Sequence, residues 1–130
     1  MSKITKVIAR QVFDSRGNPT IEAEVFANNM KARAISPSGA STGTHEAYEK
    51  RDKSNKRYLG KSVFKAVKLI NTIISKKLKN QNIHNQEKID YILIKLDGTK
   101  QKKKFGANAL LAVSMAVKKL SARIRKIPLY

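Results

Sequence analysis

The sequence predicts an α+β fold, in which a three-stranded antiparallel meander is followed by a helical layer. Three observations support this prediction. Apolar and β-branched residues alternate with polar ones over residues 3–35, turn-forming clusters interrupt the alternation, and apolar residues recur at helical spacing over residues 62–125. Strands that come first and are joined by short turns favour a sheet with helices on one face. The 130 residues fit one domain.

The strands are predicted from the period-two pattern. Residues 3–13 form the first strand, and the turn formers of residues 14–19 end it. Residues 20–27 show the clearest alternation. Asn28-Asn29 suits a tight hairpin because asparagine tolerates positive φ, and residues 30–35 return as the third strand.

Three helices are predicted from the 3.6-residue period. The first runs to about Lys79 with Ser62 as its N-cap. The second starts near Asn85 and ends at Asp97-Gly98. The third spans about residues 107–125, and its first half is apolar nearly all round, which predicts burial against several neighbours.

The charge is strongly positive and unevenly distributed. The formal net charge is +19, and residues 61–130 hold 17 of the 28 Lys and Arg residues but only 3 of the 9 acidic ones. Such a balance suggests a polyanionic partner, at least non-specifically at low salt. An AT-rich coding sequence also explains it, because lysine, isoleucine and asparagine are all abundant. Both explanations stay open.

Several classes of site and segment are absent from the sequence. There is no cysteine, hence no disulfide and no thiolate metal site. No apolar run approaches the ~20 residues of a membrane helix, so no membrane span is expected, and the N-terminus lacks the apolar region of a signal peptide. The absence of cysteine is compatible with a reducing cytoplasm. His45 and His84 lie far apart in polar context and are expected at the surface. No serine is expected on a strand-turn-helix elbow of the G-x-S-x-G kind.

The segment Pro37–Gly43 cannot form regular structure, and a short helical turn is expected after it, around His45–Lys50, before a polar loop over residues 51–61. Backbone N–H groups in the Pro37–Gly43 loop can bind an anion, and its hydroxyl oxygens can bind a hard cation such as Mg²⁺. A plain flexible connector is the alternative, because a Gly/Ser loop is a weak signal and this one does not match the P-loop pattern.

Five segments, in order and in register, resemble signatures of the enolase family. They are Asp14-Ser15-Arg16-Gly17-Asn18-Pro19-Thr20, Pro37-Ser38-Gly39-Ala40-Ser41-Thr42-Gly43, Glu46-Ala47-Tyr48-Glu49-Lys50-Arg51-Asp52, Tyr58-Leu59-Gly60-Lys61, and Leu96-Asp97-Gly98-Thr99 with Phe105-Gly106-Ala107-Asn108-Ala109. Ile127-Pro128-Leu129-Tyr130 also fits, so the resemblance extends over the whole chain. The departures are Ser36 and Lys50 in place of apolar residues, the basic loop 101–104, and Phe105 in place of leucine.

The resemblance implies a fold and an activity. Enolases reversibly dehydrate 2-phosphoglycerate to phosphoenolpyruvate in glycolysis, using two Mg²⁺ ions, and are homodimers. Their N-terminal α+β domain, here residues 1–130, caps a TIM-like barrel that carries the base, the acid and the main metal ligands. Because the 130 residues do not include a barrel, we expect no catalytic residue on this chain and no turnover by it alone.

The resemblance also assigns site residues. Ser38, Gly39, Ala40, Ser41 and Thr42 would close over the substrate, and Ser41 would bind the second Mg²⁺. Arg10, Arg16 and Glu22 would form ion pairs across the dimer interface, although Arg16 could instead brace its own turn.

The resemblance favours the hypothesis that the chain is the N-terminal part of a cytoplasmic enolase; members of this family also occur at the cell surface. Two other hypotheses compete with it. One is an independent domain that binds RNA, DNA or an anionic surface, although aromatic residues make up 6% of the chain and no RRM, KH or zinc-finger signature is present. The other is a truncated relic without function.

Overall fold

The strands form where the alternation of apolar residues predicts them. The computed structural model describes residues 2–37, 49–52, 62–100, 102 and 104–130. Within these, the strands are β1 (Ile4–Phe13), β2 (Pro19–Ala27) and β3 (Met30–Ile35). They form one antiparallel sheet in the order β1-β2-β3, which confirms the predicted meander.

The hairpin between β2 and β3 closes through two asparagines. Asn28 and Asn29 have φ of 53° and 59°, the left-handed conformation that asparagine adopts more readily than most residues. The register sets Val25 opposite Ala32 and Ala27 opposite Met30, so one set of side chains from both strands shares a face.

That face of the sheet packs against the longest helix. Ile21, Ala23 and Val25 of β2 are fully buried. Helix α4 (Ala107–Arg125) lies across β2 and β3 and buries Ala109, Ala112, Val113, Ala116 and Val117. Alanines on both the helix and the sheet let the two backbones approach closely. The burial of α4 confirms the prediction made from its apolar first half.

The first predicted helix is one helical run with a π-helical turn inside it. It consists of α1 (Phe64–Leu69), a π segment (Ile70–Ile74) and α2 (Ser75–Leu78), and it packs against β1. A regular apolar period does not reveal a π turn, so the sequence predicted a single α-helix.

The predicted N-cap at Ser62 is wrong. Val63 occupies that position, and it makes no side-chain capping bond. Ser62 is buried, and its hydroxyl donates to Gln11 Oε1 at 2.7 Å. Asp52 Oδ1 accepts the helical N–H of Lys65 at 3.0 Å instead. A distant carboxylate thus satisfies the orphan donor that a local serine was expected to bond.

Asn71, in the π segment, covers the free edge of β1. Its Oδ1 accepts the Ala9 N–H at 2.8 Å, and its Nδ2 donates to the Ala9 carbonyl at 3.1 Å. An edge strand otherwise presents unpaired backbone groups to other chains. One side chain therefore both satisfies these two groups and ties the helical run to the sheet.

The last two helices confirm their predicted limits. Asn85 caps α3 (Gln86–Asp97) by accepting the Lys88 N–H, and Gly98, with φ of 68°, ends it. Among the residues that the structure describes, no helix is long and apolar enough to cross a membrane.

The buried carboxylate of Asp97 organises the connection from α3 to α4. It accepts the Phe105 N–H at 2.8 Å and both the N–H and the hydroxyl of Thr99. Burial alone would raise the pKa of Asp97, but these hydrogen bonds outweigh it and the pKa lies below its usual value. The same bonds place Phe105, the leucine replacement, in the core with no exposed surface.

Candidate functional site

The loop that was predicted to close over a substrate can be located through its two ends. Residues 38–48, which include Ser38, Gly39, Ala40, Ser41, Thr42 and His45, lie outside the described residues, as does most of the helical turn expected around residues 45–50. The described ends are Ser36-Pro37, here called the entry segment, and Glu49–Asp52, the exit segment. Glu49 and Lys50 are not helical.

The entry segment continues β3 and is fixed to the start of β2. The Ser36 N–H donates to the Ile21 carbonyl at 2.9 Å, and the Thr20 hydroxyl donates to the Ser36 carbonyl at 2.6 Å. Ser36 is 1% exposed, so this replacement of an apolar residue is buried. Because the backbone groups of Ser36 are paired, the chain enters the loop from a fixed position.

The exit segment is clamped by the first turn of α4. Asn108 Oδ1 accepts the Lys50 N–H at 2.9 Å, and Asn108 Nδ2 donates to the Lys50 carbonyl at 3.1 Å. Gly106, with φ of 91°, lies so close that a Cβ there would come within 2.5 Å of Lys50 Cβ and 2.8 Å of its backbone nitrogen. The Gly106-Ala107-Asn108 motif therefore has a structural reason: the glycine makes room and the asparagine pairs with the backbone.

Arg51 brings the exit segment to the same strand end as the entry segment. Its guanidinium donates to the Pro19 carbonyl at 2.8 Å and pairs with Glu49 at 3.3 Å. The next residue, Asp52, donates its N–H to the Ser62 carbonyl at 2.9 Å. Entry and exit are therefore both bonded to residues 19–21. The two described segments that flank residues 38–48 are thus fixed to the same end of β2.

The turn before β2 is held by its own carboxylate. Asp14 Oδ1 accepts the N–H groups of Asn18 and Arg16, both at 2.9 Å. The hydrogen bond from Asn18, followed by that from Arg16 and the positive charges of Arg16 and Arg51, lowers the pKa of Asp14 against a raising effect of desolvation. The motif that begins at Asp14 thus shapes the strand end to which the loop is fastened.

The sheet face opposite the helices carries a charged cluster. Arg10 Nη1 lies 2.5 Å from Glu22 Oε1, Arg10 Nη2 lies 3.0 Å from Glu24 Oε1, and Lys31 Nζ lies 3.8 Å from Glu24. The hydrogen bond from Arg10 lowers the pKa of Glu24, and the bonds to Glu24 and Glu22 raise the pKa of Arg10. Glu22 and Glu24 are buried in this cluster.

Of the three residues expected at a dimer interface, two are paired with each other and one is exposed. Arg10 and Glu22 pair with each other within the chain. Arg16 is exposed in the turn, and it is the backbone N–H of Arg16, rather than its guanidinium, that bonds Asp14. Their pairing with a second subunit stays a prediction.

His84, expected at the surface, is half-buried in the turn before α3 and contacts α4. Its Nδ1 lies 2.7 Å from the Ser121 hydroxyl. Burial, together with the charge of Arg125, lowers the pKa of His84. Within the described ranges, no three His, Cys, Asp or Glu side chains converge as metal ligands.

Comparisons with known proteins agree with this arrangement of motifs. The family model "Enolase, N-terminal domain" matches residues 4–130. The chain is 69% identical to the enolase of Pelagibacter ubique over 130 residues, which are all of this chain and 31% of that protein. It is 54% identical to the enolase of Methanosarcina mazei over 128 residues, 98% of this chain and 30% of that protein. The chain spans about a third of the length of these relatives. It belongs to the enolase N-terminal domain family.

Proposed function

We propose that this chain is the N-terminal part of a cytoplasmic enolase, a carbon–oxygen lyase that reversibly dehydrates 2-phosphoglycerate to phosphoenolpyruvate in glycolysis. The observation that carries the proposal is the family match over residues 4–130. The bonding pattern around the loop adds a physical argument, because three of the resembling segments meet there. The aspartate turn, the exit segment and the Gly106–Asn108 turn all hold the base of residues 38–48.

The contribution of this chain to the reaction is a closing loop. With both ends fixed to the start of β2, Ser38, Gly39, Ala40, Ser41 and Thr42 would move as a flap on a rigid base and exclude water from the reacting atoms. A serine hydroxyl is a hard oxygen donor that suits Mg²⁺, so Ser41 fits the second, substrate-dependent Mg²⁺ by chemistry. Two bound Mg²⁺ ions would stabilise the negative charge that develops on the substrate.

The remaining chemistry would be supplied by a barrel domain. One hydroxyl gives at most one metal ligand, and within the described residues no group of three or more His, Cys, Asp or Glu side chains could hold a metal ion. The carboxylate ligands, the base and the acid are therefore proposed to lie on the barrel, as the family resemblance implies. The chain of 130 residues alone should not convert 2-phosphoglycerate.

A homodimer is part of the proposal, with Arg10, Arg16 and Glu22 at its interface. Arg10 already has two carboxylate partners within the chain. A second subunit would therefore have to share or exchange these partners. Arg16, exposed beside the rigid Asp14 turn, would be available to an acidic group without losing a bond of its own guanidinium.

A hybrid enzyme tests the assignment of the loop. The 130 residues of the Pelagibacter ubique enolase that align with this chain, at 69% identity, are replaced by it. Formation of phosphoenolpyruvate is followed by absorbance while Mg²⁺ is varied. We expect an active hybrid, at least a tenfold lower kcat for Ser41→Ala, and a change in its Mg²⁺ dependence.

The matched control is Ser75→Ala, in helix α2, which should leave both quantities unchanged. Equal activity of Ser41→Ala and the parent hybrid would remove Ser41 from the metal site. An inactive but folded parent hybrid would contradict the proposed function, and turnover by the 130-residue chain alone would contradict the proposed barrel location of the catalytic groups.

A further inference from the structure

A shallow groove beside helix α3 combines an exposed aromatic ring with three lysines. It has a volume of about 440 Å³ and is lined by Lys77, Lys88, Tyr91, Ile92, Lys95 and Leu96. Lys77 comes from α2, whereas the other five come from α3, so the groove follows the junction of the two helices. This surface takes no part in the loop base described above.

The aromatic ring at the centre of the groove is unusually accessible. Tyr91 is 62% exposed, and the Lys95 ammonium lies 5.8 Å from its ring centroid. Ile92 and Leu96 are half-buried and give the groove an apolar floor. An exposed tyrosine on an amphipathic helix is common, and a neighbouring lysine alone would not indicate a ligand. Two further lysines, Lys77 and Lys88, line the same groove and indicate a site for an anionic ligand.

The groove is positive overall. Lys77, Lys88 and Lys95 are all exposed, so their charges are available to a ligand. Glu87 lies one turn before Tyr91 and offers a single opposing carboxylate, whereas Asp90 is bonded to Gln86 and to the Ser114 hydroxyl on the α4 side. A polyanion would therefore be attracted here, and the net charge of +19 adds long-range steering.

We propose that this groove binds single-stranded nucleic acid, with one base stacked on Tyr91 and backbone phosphates next to Lys77, Lys88 and Lys95. Flexible single strands offer both a π face and closely spaced phosphates, which is the combination that stacking platforms bordered by cations recognise. Inorganic polyphosphate and anionic lipid headgroups satisfy the lysines but leave the ring without a stacking partner. Binding is independent of base sequence, because the groove presents no side-chain amide to read a base edge.

The test measures fluorescence anisotropy of a labelled 12-nucleotide oligouridylate with the purified hybrid enzyme described above, from low to physiological salt. Tyr91→Ala should weaken binding about tenfold, as expected for the loss of one stacked base, and Tyr91→Phe should bind like the parent. Replacing Lys77, Lys88 and Lys95 by glutamine should weaken binding and make the slope of log K against log salt shallower by about 2, the value for three phosphates on a single strand.

A charge-matched control separates this groove from the general positive charge. Lys3, Lys118 and Lys119 are exposed and lie outside the groove, and their replacement by glutamine removes the same charge. If this control loses as much affinity as the groove variant, or if Tyr91→Ala binds like the parent, the proposal is overturned in favour of charge-driven polyanion binding. Equal competition by inorganic polyphosphate at matched phosphate concentration, with no effect of Tyr91→Ala, would lead to the same conclusion. Circular dichroism of each variant checks that the fold is retained.

Discussion

Replacing Gly106 by alanine should loosen the base of the loop and destabilise the domain. Gly106 has φ of 91° and ψ of 140°, close to a backbone region that only glycine populates freely. The added Cβ would also lie 2.5 Å from Lys50 Cβ and 2.8 Å from Lys50 N, and it would collide with Asn108 Oδ1. The substitution thus strains the turn and pushes apart the two residues that clamp the exit segment.

The expected magnitude follows from these contacts. Backbone strain of this kind costs about 1–3 kcal/mol. If Lys50 moves away, the two Asn108 hydrogen bonds are lost at about 1 kcal/mol each. The loss in free energy of unfolding should therefore be roughly 3–5 kcal/mol, a large part of the ~5–15 kcal/mol that stabilises a typical domain.

Gly17→Ala is the matched control. Gly17 also has positive φ, 78°, but nothing lies within 4 Å of the position that its Cβ would take. Only the left-handed strain of about 1–2 kcal/mol applies, and the lower entropy of the unfolded chain offsets ~0.4–1 kcal/mol of it. We therefore expect a net loss of about 1 kcal/mol.

The assay is urea unfolding of both variants, followed by far-UV circular dichroism, together with hydrogen exchange at the Lys50 amide. Gly106→Ala should lower the unfolding midpoint much further than Gly17→Ala and should speed exchange at Lys50. Equal losses in the two variants, with unchanged exchange at Lys50, would refute the reasoning, because backbone conformation alone would then explain both.

Three further predictions concern other parts of the domain. Asn71→Ala leaves the two Ala9 backbone groups unpaired and should lower the free energy of unfolding by about 1–3 kcal/mol in urea titration, whereas Thr72→Ala should change it by less than ~0.5 kcal/mol. The pKa of Asp97 is lowered in the folded state, so its stabilising effect is present above its ordinary pKa of about 3.9 and is lost as pH falls through the lower folded value. Asp97→Asn should therefore make the free energy of unfolding depend less on pH in that acidic window. The same dependence on pH in the variant and the parent would contradict this. Arg10→Met should cost about 1–3 kcal/mol, because buried Glu22 loses its partner and buried Glu24 keeps only Lys31, and an unchanged thermal midpoint would show that Arg10 contributes nothing to stability.

Much of the fold was predictable because its signals are local. The alternation in β2, the asparagine hairpin at residues 28–29 and the limits of α3 each depend on neighbours within a few residues. A strand or helix shows its buried face through its own period, and a turn shows itself through residues that tolerate positive φ. The five family segments added the identity of the domain, which no periodicity could supply.

The errors came from contacts between distant parts of the chain. Serine is a favoured N-cap residue, but the Ser62 hydroxyl donates its hydrogen bond to Gln11, 51 residues earlier. Asp52 accepts the N–H of Lys65 in the first turn of the helix instead. The π segment in the first helix has no period of its own to detect. His84 was expected at the surface because its neighbours in sequence are polar, but it is half-buried, and its ring contacts Ser121, 37 residues later.

The candidate site divides in the same way. The sequence by itself predicted a hydroxyl-rich loop over Ser38–Thr42. The family resemblance added that Ser41 binds Mg²⁺ and that Arg10, Arg16 and Glu22 meet a second subunit, and these assignments stay predictions. Only the tertiary structure decided how the loop is held. Asn108 reaches Lys50 across 58 residues, and Arg51 reaches Pro19 across 32. Such bonds depend on the path of the whole chain, whereas residue preferences act over a few positions, so the motif residues were visible in the sequence and their partners were not.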